Sequence, residues 1–486
     1  MNPIMNSLPM HEGTQPLAGP SPRWGWSLGV LTLWLAQTCT AQPLDLLQVW
    51  DLARQSDPQM AAAQATRATS QALRQQADSV WRPAVMASAT GGAMSLQSRM
   101  TGAEFSTPGA QPVSGVNFNT SVLHGTTGRW GVQARQPLYN PERDAQRQQL
   151  GIGAQAAGWQ ADLQQQQLLL TTVQRYVDVV VADKRVQVLQ QQLQAVERAH
   201  AEAKDRYALG DAPITDTHEA AARARGLQAQ VSAAESDRSM ARTVLADSIG
   251  GAPATLTLLQ PGAMPVWRVP SMEEAWDLAR THNPALLLRA AHVESSLLEA
   301  RKHTLQAAPS LDAVATIARD HLSGQGDFGA ASTTQSQQML GVTLTLPLYT
   351  GGWRDGKRRE ALGQSDKARA ELDIAQRQVQ QQLRATWLAL NTGPTRVLAL
   401  QEALTASAAR LDATRLGRQV GDRTTLELLS AESDHAAAEL ALLQSQADLA
   451  MARLRFDALQ GQLTQRSLQE VNAGFTSAPP GGKTVQ

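Results

Sequence analysis

Side chains able to form ion pairs or strong hydrogen bonds gather behind two glycine-containing turns. Thr215 and Asp216 follow Gly210-Asp211, while Arg418, Arg423 and Glu427 flank Gly421-Asp422. Carboxylates facing guanidinium groups at helix ends can pin neighbouring helices together. Repeated around a symmetric opening, they form charged rings that select or block solutes. The plainer alternative is that they are helix caps and solvated charges, and Asp211 and Asp422, directly after the glycines, read as turn or cap residues on that ground.

No other grouping offers chemistry. Gly151-Ile152-Gly153-Ala154-Gln155-Ala156-Ala157 imitates a nucleotide-binding glycine loop, but it lies in a Gln-rich helical run with no strand before it, so small-residue helix packing explains it. His218-Glu219 begins like a zinc-protease motif, yet Ala222 stands where the second histidine is required. The nine histidines, among them His282, His292 and His303, show no ligand spacing with carboxylates. No serine sits in a nucleophile elbow. The expectation is a protein that is not an enzyme, with no catalytic, cofactor or metal site. Lys plus Arg and Asp plus Glu both number 43, so the chain lacks the basic footprint of a nucleic-acid binder.

The elements that must carry the charged turns follow from an internal repeat. Trp50-Asp51-Leu52-Ala53-Arg54 recurs as Trp276-Asp277-Leu278-Ala279-Arg280, and at the same offset Asp57-Pro58 maps onto Asn283-Pro284 and Pro83 onto Pro309. After a register change, Pro137-Leu138-Tyr139 matches Pro347-Leu348-Tyr349, Gly210-Asp211 matches Gly421-Asp422, and Gly250 matches Gly461. Two copies of one unit are thus expected at 42–250 and 271–461, joined by a Pro- and Gly-containing linker at 251–270. The residues from 462 to 486 read as a flexible tail.

Each copy alternates helix, strand, loop, strand, helix. Residues 340–346 place Leu340, Val342, Leu344 and Leu346 on one face and Gly341, Thr343 and Thr345 on the other, while Trp130, Val132 and Ala134 alternate with Arg129, Gln133 and Arg135. A period of two with one apolar face suits a strand between lipid and water. Hairpins are therefore expected at about 85–139 and 311–349, with Gly-, Ser- and Thr-rich loops at 91–128 and 322–338.

The rest reads as helix. No proline interrupts Glu142 to Leu209. Leu170, Val173, Val177 and Val180 keep coiled-coil spacing, as do Leu429, Ser433, Ala436, Leu440, Leu443, Ala447, Ala450 and Leu454. Aromatics make up only 4% of the chain, which fits long thin helices rather than a thick core.

The apolar run from Trp24 to Ala36, ending in Thr38-Cys39-Thr40-Ala41, reads as a signal peptide over residues 1–41. Cys39 is the one cysteine, and Ala36-Gln37-Thr38 before it lacks the pattern expected of a lipidation site. Cleavage after Ala41 would leave no thiol for a disulfide or metal. No later stretch is long enough for a spanning helix, so a membrane crossing must be made of strands.

The run from Gly341 to Gly352, in which a strand ends in Pro347-Leu348-Tyr349 and Gly351-Gly352 leads into a helix, resembles the strand-to-helix junction of the TolC-like outer-membrane efflux factors, and Trp81-Arg82-Pro83 resembles their helix-to-strand junction. The resemblance spans about Leu44 to Gly461 in both copies. It implies a fold that is mainly α with a transmembrane β-barrel portion: long antiparallel coiled-coil helices form a periplasmic α-barrel, and each chain of a homotrimer gives four strands to a twelve-stranded barrel in outer-membrane lipid. It implies a passive exit duct for efflux or type I secretion, docked to a periplasmic adaptor protein and an inner-membrane transporter. It also implies a periplasmic gate, in which Arg423 matches the gate arginine, Asp216 the aspartate that holds the helix pairs together, and Thr215 its neighbour. The two pore-facing aspartates fall on Glu427 and Ser430, so one acidic ring remains. The gate tyrosine is replaced by Arg418, which is expected to pair with Asp216. A periplasmic coiled-coil adaptor or scaffold without a pore is the competing reading, and the cargo is left open.

Overall fold

The computed structural model describes residues 44–210, 213–251, 267–327 and 329–476. The expected signal peptide with Cys39, Asp211, most of the linker and the last ten residues lie outside the described residues.

The same local chemistry starts the helices of both copies. Helix α1 (Leu46–Ser56) is followed by α2 (Pro58–Ser79), and α5 (Met272–His282) by α6 (Pro284–Leu305). Asp57 caps α2 by accepting from Gln59 N at 2.8 Å, and Asn283 caps α6 by accepting from Ala285 N at 2.9 Å, with proline at the first helical position of each. Proline there gives up an amide that the helix could not use anyway.

Strands β1 (Ala84–Phe105) and β2 (Val113–Tyr139) follow α2, and β3 (Ser310–Gly326) and β4 (Gly329–Thr345) follow α6. They form one antiparallel sheet in the order β1-β2-β3-β4, leaving β1 and β4 as its edges. Register fixes the faces. Val85, Ala87 and Ala89 pair with Ala134, Val132 and Trp130; Val132 and Ala134 pair with Ile317 and Ala315, and Ala315, Ala313 and Leu311 pair with Leu340, Val342 and Leu344. Directly paired residues project to the same side, so this face carries an apolar band across four strands that ends at Arg319, the partner of Trp130. The opposite face carries Arg129, Gln133 and Arg135 with Asp312, Thr316 and Asp320. Arg129 and Arg135 make ion pairs there with Asp320 and Asp312.

The expected loops at 91–128 and 322–338 are a correction. Strand runs through most of both segments, and among the described residues only the turn between β1 and β2 and residue 327 interrupt it. Irregularities between Met94 and Leu96, Met100 and Ala103, and Ala103 and Phe105 shift the alternation three times and obscure its period in the sequence.

The long helices are α3 (Pro141–Ala208), α4 (Ile214–Ile249), α7 (Trp353–Gln419) and α8 (Thr425–Leu459). At 68 residues α3 reaches about 100 Å at ~1.5 Å per residue. Helices α3 and α4 pack through Val186, Leu189, Val196, Ala220, Leu227 and Val231, a seam of medium and small side chains that suits close coiled-coil approach. Helix α8 buries two stripes. Leu443, Ala447, Ala450 and Leu454 join a cluster with Trp50, Leu168, Val173 and Tyr176, while Leu442, Leu449 and Phe456 join Leu383 and Leu390 of α7. That double burial places α8 between α3 and α7 and ties the two repeats together. Fully burying each Leu or Phe contributes about 1.5–3 kcal/mol, so this wedge is a main source of cohesion. Within α7, Pro394 removes one backbone donor, and the bare Cα of Gly393 makes room for Leu449.

A second correction concerns the tail. Helix α9 (Gln465–Thr476) stands where a flexible segment from 462 was expected, and Leu468 and Val471 are fully buried in the cluster around Trp50. Its short amphipathic period is masked by Asn472, whose Oδ1 accepts from Leu46 N at 3.2 Å and whose Nδ2 donates to Asp45 at 3.1 Å. Among the described residues no helix is long and apolar enough to cross a membrane.

Candidate functional site

Two helical hairpins, α3–α4 and α7–α8, end in the turns that carry the candidate gate residues. In the second turn Gly421 takes φ +83°, a conformation costly for any residue with a Cβ, and Asp422 N donates to Gly417 O at 2.8 Å to close the end of α7. Helix α8 then opens with a capping box. Thr424 N donates to Glu427 Oε2 at 2.8 Å, and Glu427 N donates to Thr424 Oγ1 at 3.2 Å.

Glu427 therefore serves as cap and charge together. Arg423 Nη1 donates to Glu427 Oε1 at 3.1 Å. The Thr424 backbone amide, followed by the Arg423 guanidinium and the Thr424 hydroxyl, holds the Glu427 carboxyl below the usual glutamate range. Arg423 reaches this position by laying its stem over Gly417, where an added Cβ would come within 2.7 Å of Arg423 Cγ. Both side chains are about half exposed, so the pair is open to solvent and to anything that docks there.

Arg418 does not pair with Asp216. Its side chain is buried, and Nη2 lies 2.7 Å from Glu202 Oε1 on α3, close enough for an ion pair but off the hydrogen-bonding direction. The last turn of α7 brings Arg418 within reach of Glu202 on α3 rather than of Asp216 at the start of α4. Asp216 sits in the first turn of α4, where a carboxylate offsets unsatisfied amides, and Thr215 is exposed beside it. Among the described residues Asp216 has no ion-pair partner in this chain. Ser430 is half-buried one turn beyond Glu427. The structure thus brings Arg423 and Glu427 together, leaves Thr215 and Asp216 apart from them, and adds Glu202. Only heptad accounting on α3 relative to α7 could have found Glu202, because nothing local marks it.

Above the turns, ion pairs zip each hairpin and then link the two. Arg410 and Arg415 of α7 reach Asp434 and Glu432 of α8 at 2.6 and 3.4 Å, and Arg242 of α4 reaches Asp183 of α3 at 2.8 Å. Lys184 of α3 meets Glu439 of α8 at 2.7 Å, so Arg418–Glu202 and Lys184–Glu439 are cross-hairpin ties at two levels.

Comparison with known proteins places this architecture. The model of the family described as outer membrane efflux protein matches residues 49–251 and 275–462. The chain is 26% identical over 465 residues to the protease secretion protein PrtF of Dickeya chrysanthemi, covering 92% of this chain and 94% of that one. It is 24% identical over 442 residues to the outer membrane protein TolC of Escherichia coli K12, covering 89% and 85%. Among solved structures, the outer membrane protein VceC of Vibrio cholerae superposes with a TM-score of 0.66 at 16% identity over 86% of this chain and 96% of that one. The open-state MtrE channel of Neisseria gonorrhoeae gives 0.64 at 19% identity over 87% and 90%. The fold is theirs, and with both repeats matched the chain belongs to the outer membrane efflux protein family.

Proposed function

We propose that the chain is one third of an outer-membrane exit duct, in which three copies close the four-stranded sheets into a twelve-stranded barrel and the helices into a periplasmic tunnel. One observation carries this reading. The sheet has two unpaired edges, β1 and β4, and an exposed apolar band on which Leu340 is 86% and Val342 and Leu344 are each 68% accessible. Open edges cannot persist in hydrocarbon, and such a face is costly in water, so lipid outside and a neighbouring copy at each edge resolve both problems.

Conduction rather than transformation of cargo fits the duct, and the channel passes what an inner-membrane transporter and a periplasmic adaptor deliver, by efflux or type I secretion. The hairpin tips form its periplasmic gate. Arg423–Glu427 lines the opening, Arg418–Glu202 holds α7 to α3, and Thr215 and Asp216, the latter without an ion-pair partner among the described residues, meet the neighbouring copy. Planar-bilayer recording on the purified protein tests the duct. A small resting conductance that rises when the tip residues are neutralised is expected, and silence from a trimeric preparation, with release into the soluble periplasm, would favour the scaffold reading.

A further inference from the structure

The two hairpins of the sheet are unequal. Pairing of β2 with β3 begins at His124 with Gln325, yet pairing of β1 with β2 continues from Leu96 with Val122 to Phe105 with Val113. The turn of the second hairpin reaches as far as Ser121, whose Oγ accepts from Asp327 N at 2.8 Å, and Val122 is buried there; beyond that level the first hairpin projects about 25 Å, at ~3.3 Å per residue, as a bare two-stranded arm.

The arm has one apolar face. Between Met94 and Leu96 the extra residue is on β2, between Met100 and Ala103 it is on β1, and between Ala103 and Phe105 it is on β2 again. Tracing the alternation through these shifts puts Leu96 and Val122, Met100 and Phe118, Ala103 and Val116, and Phe105 and Val113 on the same side, with Ser98 and Thr120 the polar residues among them. The rings of Phe105 and Phe118 confirm that side, lying 5.6 Å apart. The other face presents Gln97, Ser121, Arg99 and Asn119, with Arg99 Nε donating to Asn119 Oδ1 at 3.2 Å. Met100 is 62% exposed and Phe105 54%.

Strand β1 stays unbroken through the first shift, so Leu96 and Met100 continue the face of Met86, Ser88 and Thr90. That is the side of Arg129 and Arg135, opposite the apolar band. In the closed barrel proposed above it is the lumen side. A two-stranded ribbon is marginal in water, and an uncovered apolar face on it needs a partner.

We propose that the partner is the same arm of the two other copies. The three apolar faces meet over the outer mouth of the barrel and form a hydrophobic constriction at the end of the duct opposite the charged gate. Continuity favours this occupant over lipid: β1 is the edge strand that joins the neighbouring copy, and its apolar arm face is the one turned to the axis. Such a constriction resists wetting and opens when the arms splay, so it acts on solutes regardless of charge.

The inference rests on the trimeric reading, and its test separates the two. In the full chain carrying Cys39→Ser, Met100→Cys and, separately, Gln97→Cys are treated in outer membranes with a short cleavable bismaleimide. Oligomeric state is measured by light scattering on the same detergent-extracted protein. Met100→Cys is expected to give cross-linked dimers while Gln97→Cys gives none. Cross-linking should lower bilayer current about twofold, reversed on cleavage. Trimers in which Met100→Cys cross-links no better than Gln97→Cys, or links instead to another protein, overturn the constriction alone, whereas monomers overturn the trimeric reading. Phe118→Asp in the uncross-linked protein guards against a folding artefact: current should rise with assembly intact, and an unchanged current counts against the constriction.

Discussion

Arg418, buried on the last turn of α7, holds its Nη2 2.7 Å from Glu202 Oε1 of α3, and this ion pair joins the two hairpins at the level of the turns. The two ends differ in environment, since the arginine is enclosed and the glutamate is about half exposed. Removal of either is therefore not equivalent.

Glu202→Ala leaves a buried guanidinium without its counter-charge, while Arg418→Ala leaves a carboxylate that water can solvate. The first should cost on the order of 1–3 kcal/mol and the second less, read from thermal unfolding of the two variants. Both should raise single-channel conductance, because both free α7 from α3. An unchanged closed level in Arg418→Ala would show that the contact does not hold the gate.

Gly417→Ala separates gating from stability. Alanine improves helix propensity by about 1 kcal/mol, but its Cβ would occupy the place of the Arg423 stem. The unfolding temperature should hold or rise while Arg423 is pushed off Glu427, and the resting current should increase. A stable variant with wild-type current would remove Arg423 from the gate.

Acid should act late on the second turn. The Glu427 carboxyl is held below the usual range by the Thr424 amide and Arg423, so the stability it contributes is complete above the unfolded value of about 4.3 and is lost only as pH falls through the lower folded value. Recordings should therefore change little between about pH 7 and 5 and open below about 4, and Glu427→Gln should remove that transition. A shift centred near neutrality would implicate a histidine instead.

Helix α9 should behave as core. Leu468 is fully buried beside Trp50 and Leu454, so Leu468→Ala should lower stability by about 2–5 kcal/mol in denaturant titration. Loss of residues 477–486 should cost nothing comparable, and equal tolerance of both changes would restore the flexible tail.

The helices and their caps were legible in the sequence because their signals are local. Asp57-Pro58 and Asn283-Pro284 announce helix starts, Gly421 announces an end, and the spacing from Leu429 to Leu454 marks a seam. The repeated glycines hold more than a turn. Gly250 lies against Ser56, and Gly461 lies so close to the carbonyl of its counterpart His282 that a Cβ would not fit, so each repeat closes on the end of its own first helix. The strand content of 91–128 was not legible, since bulges on alternating strands break the period that identifies a strand.

What the sequence determined by itself was the repeat, the type and order of most elements and the apolar strand face, all of which follow from spacing along one chain. Tertiary structure decided which charges meet, how far the first hairpin outreaches the second and what α9 packs against. Arg418 finds Glu202 rather than Asp216 because a charge pairs with whatever the neighbouring helix presents at its own height, and that height is set by how α8 wedges between α3 and α7.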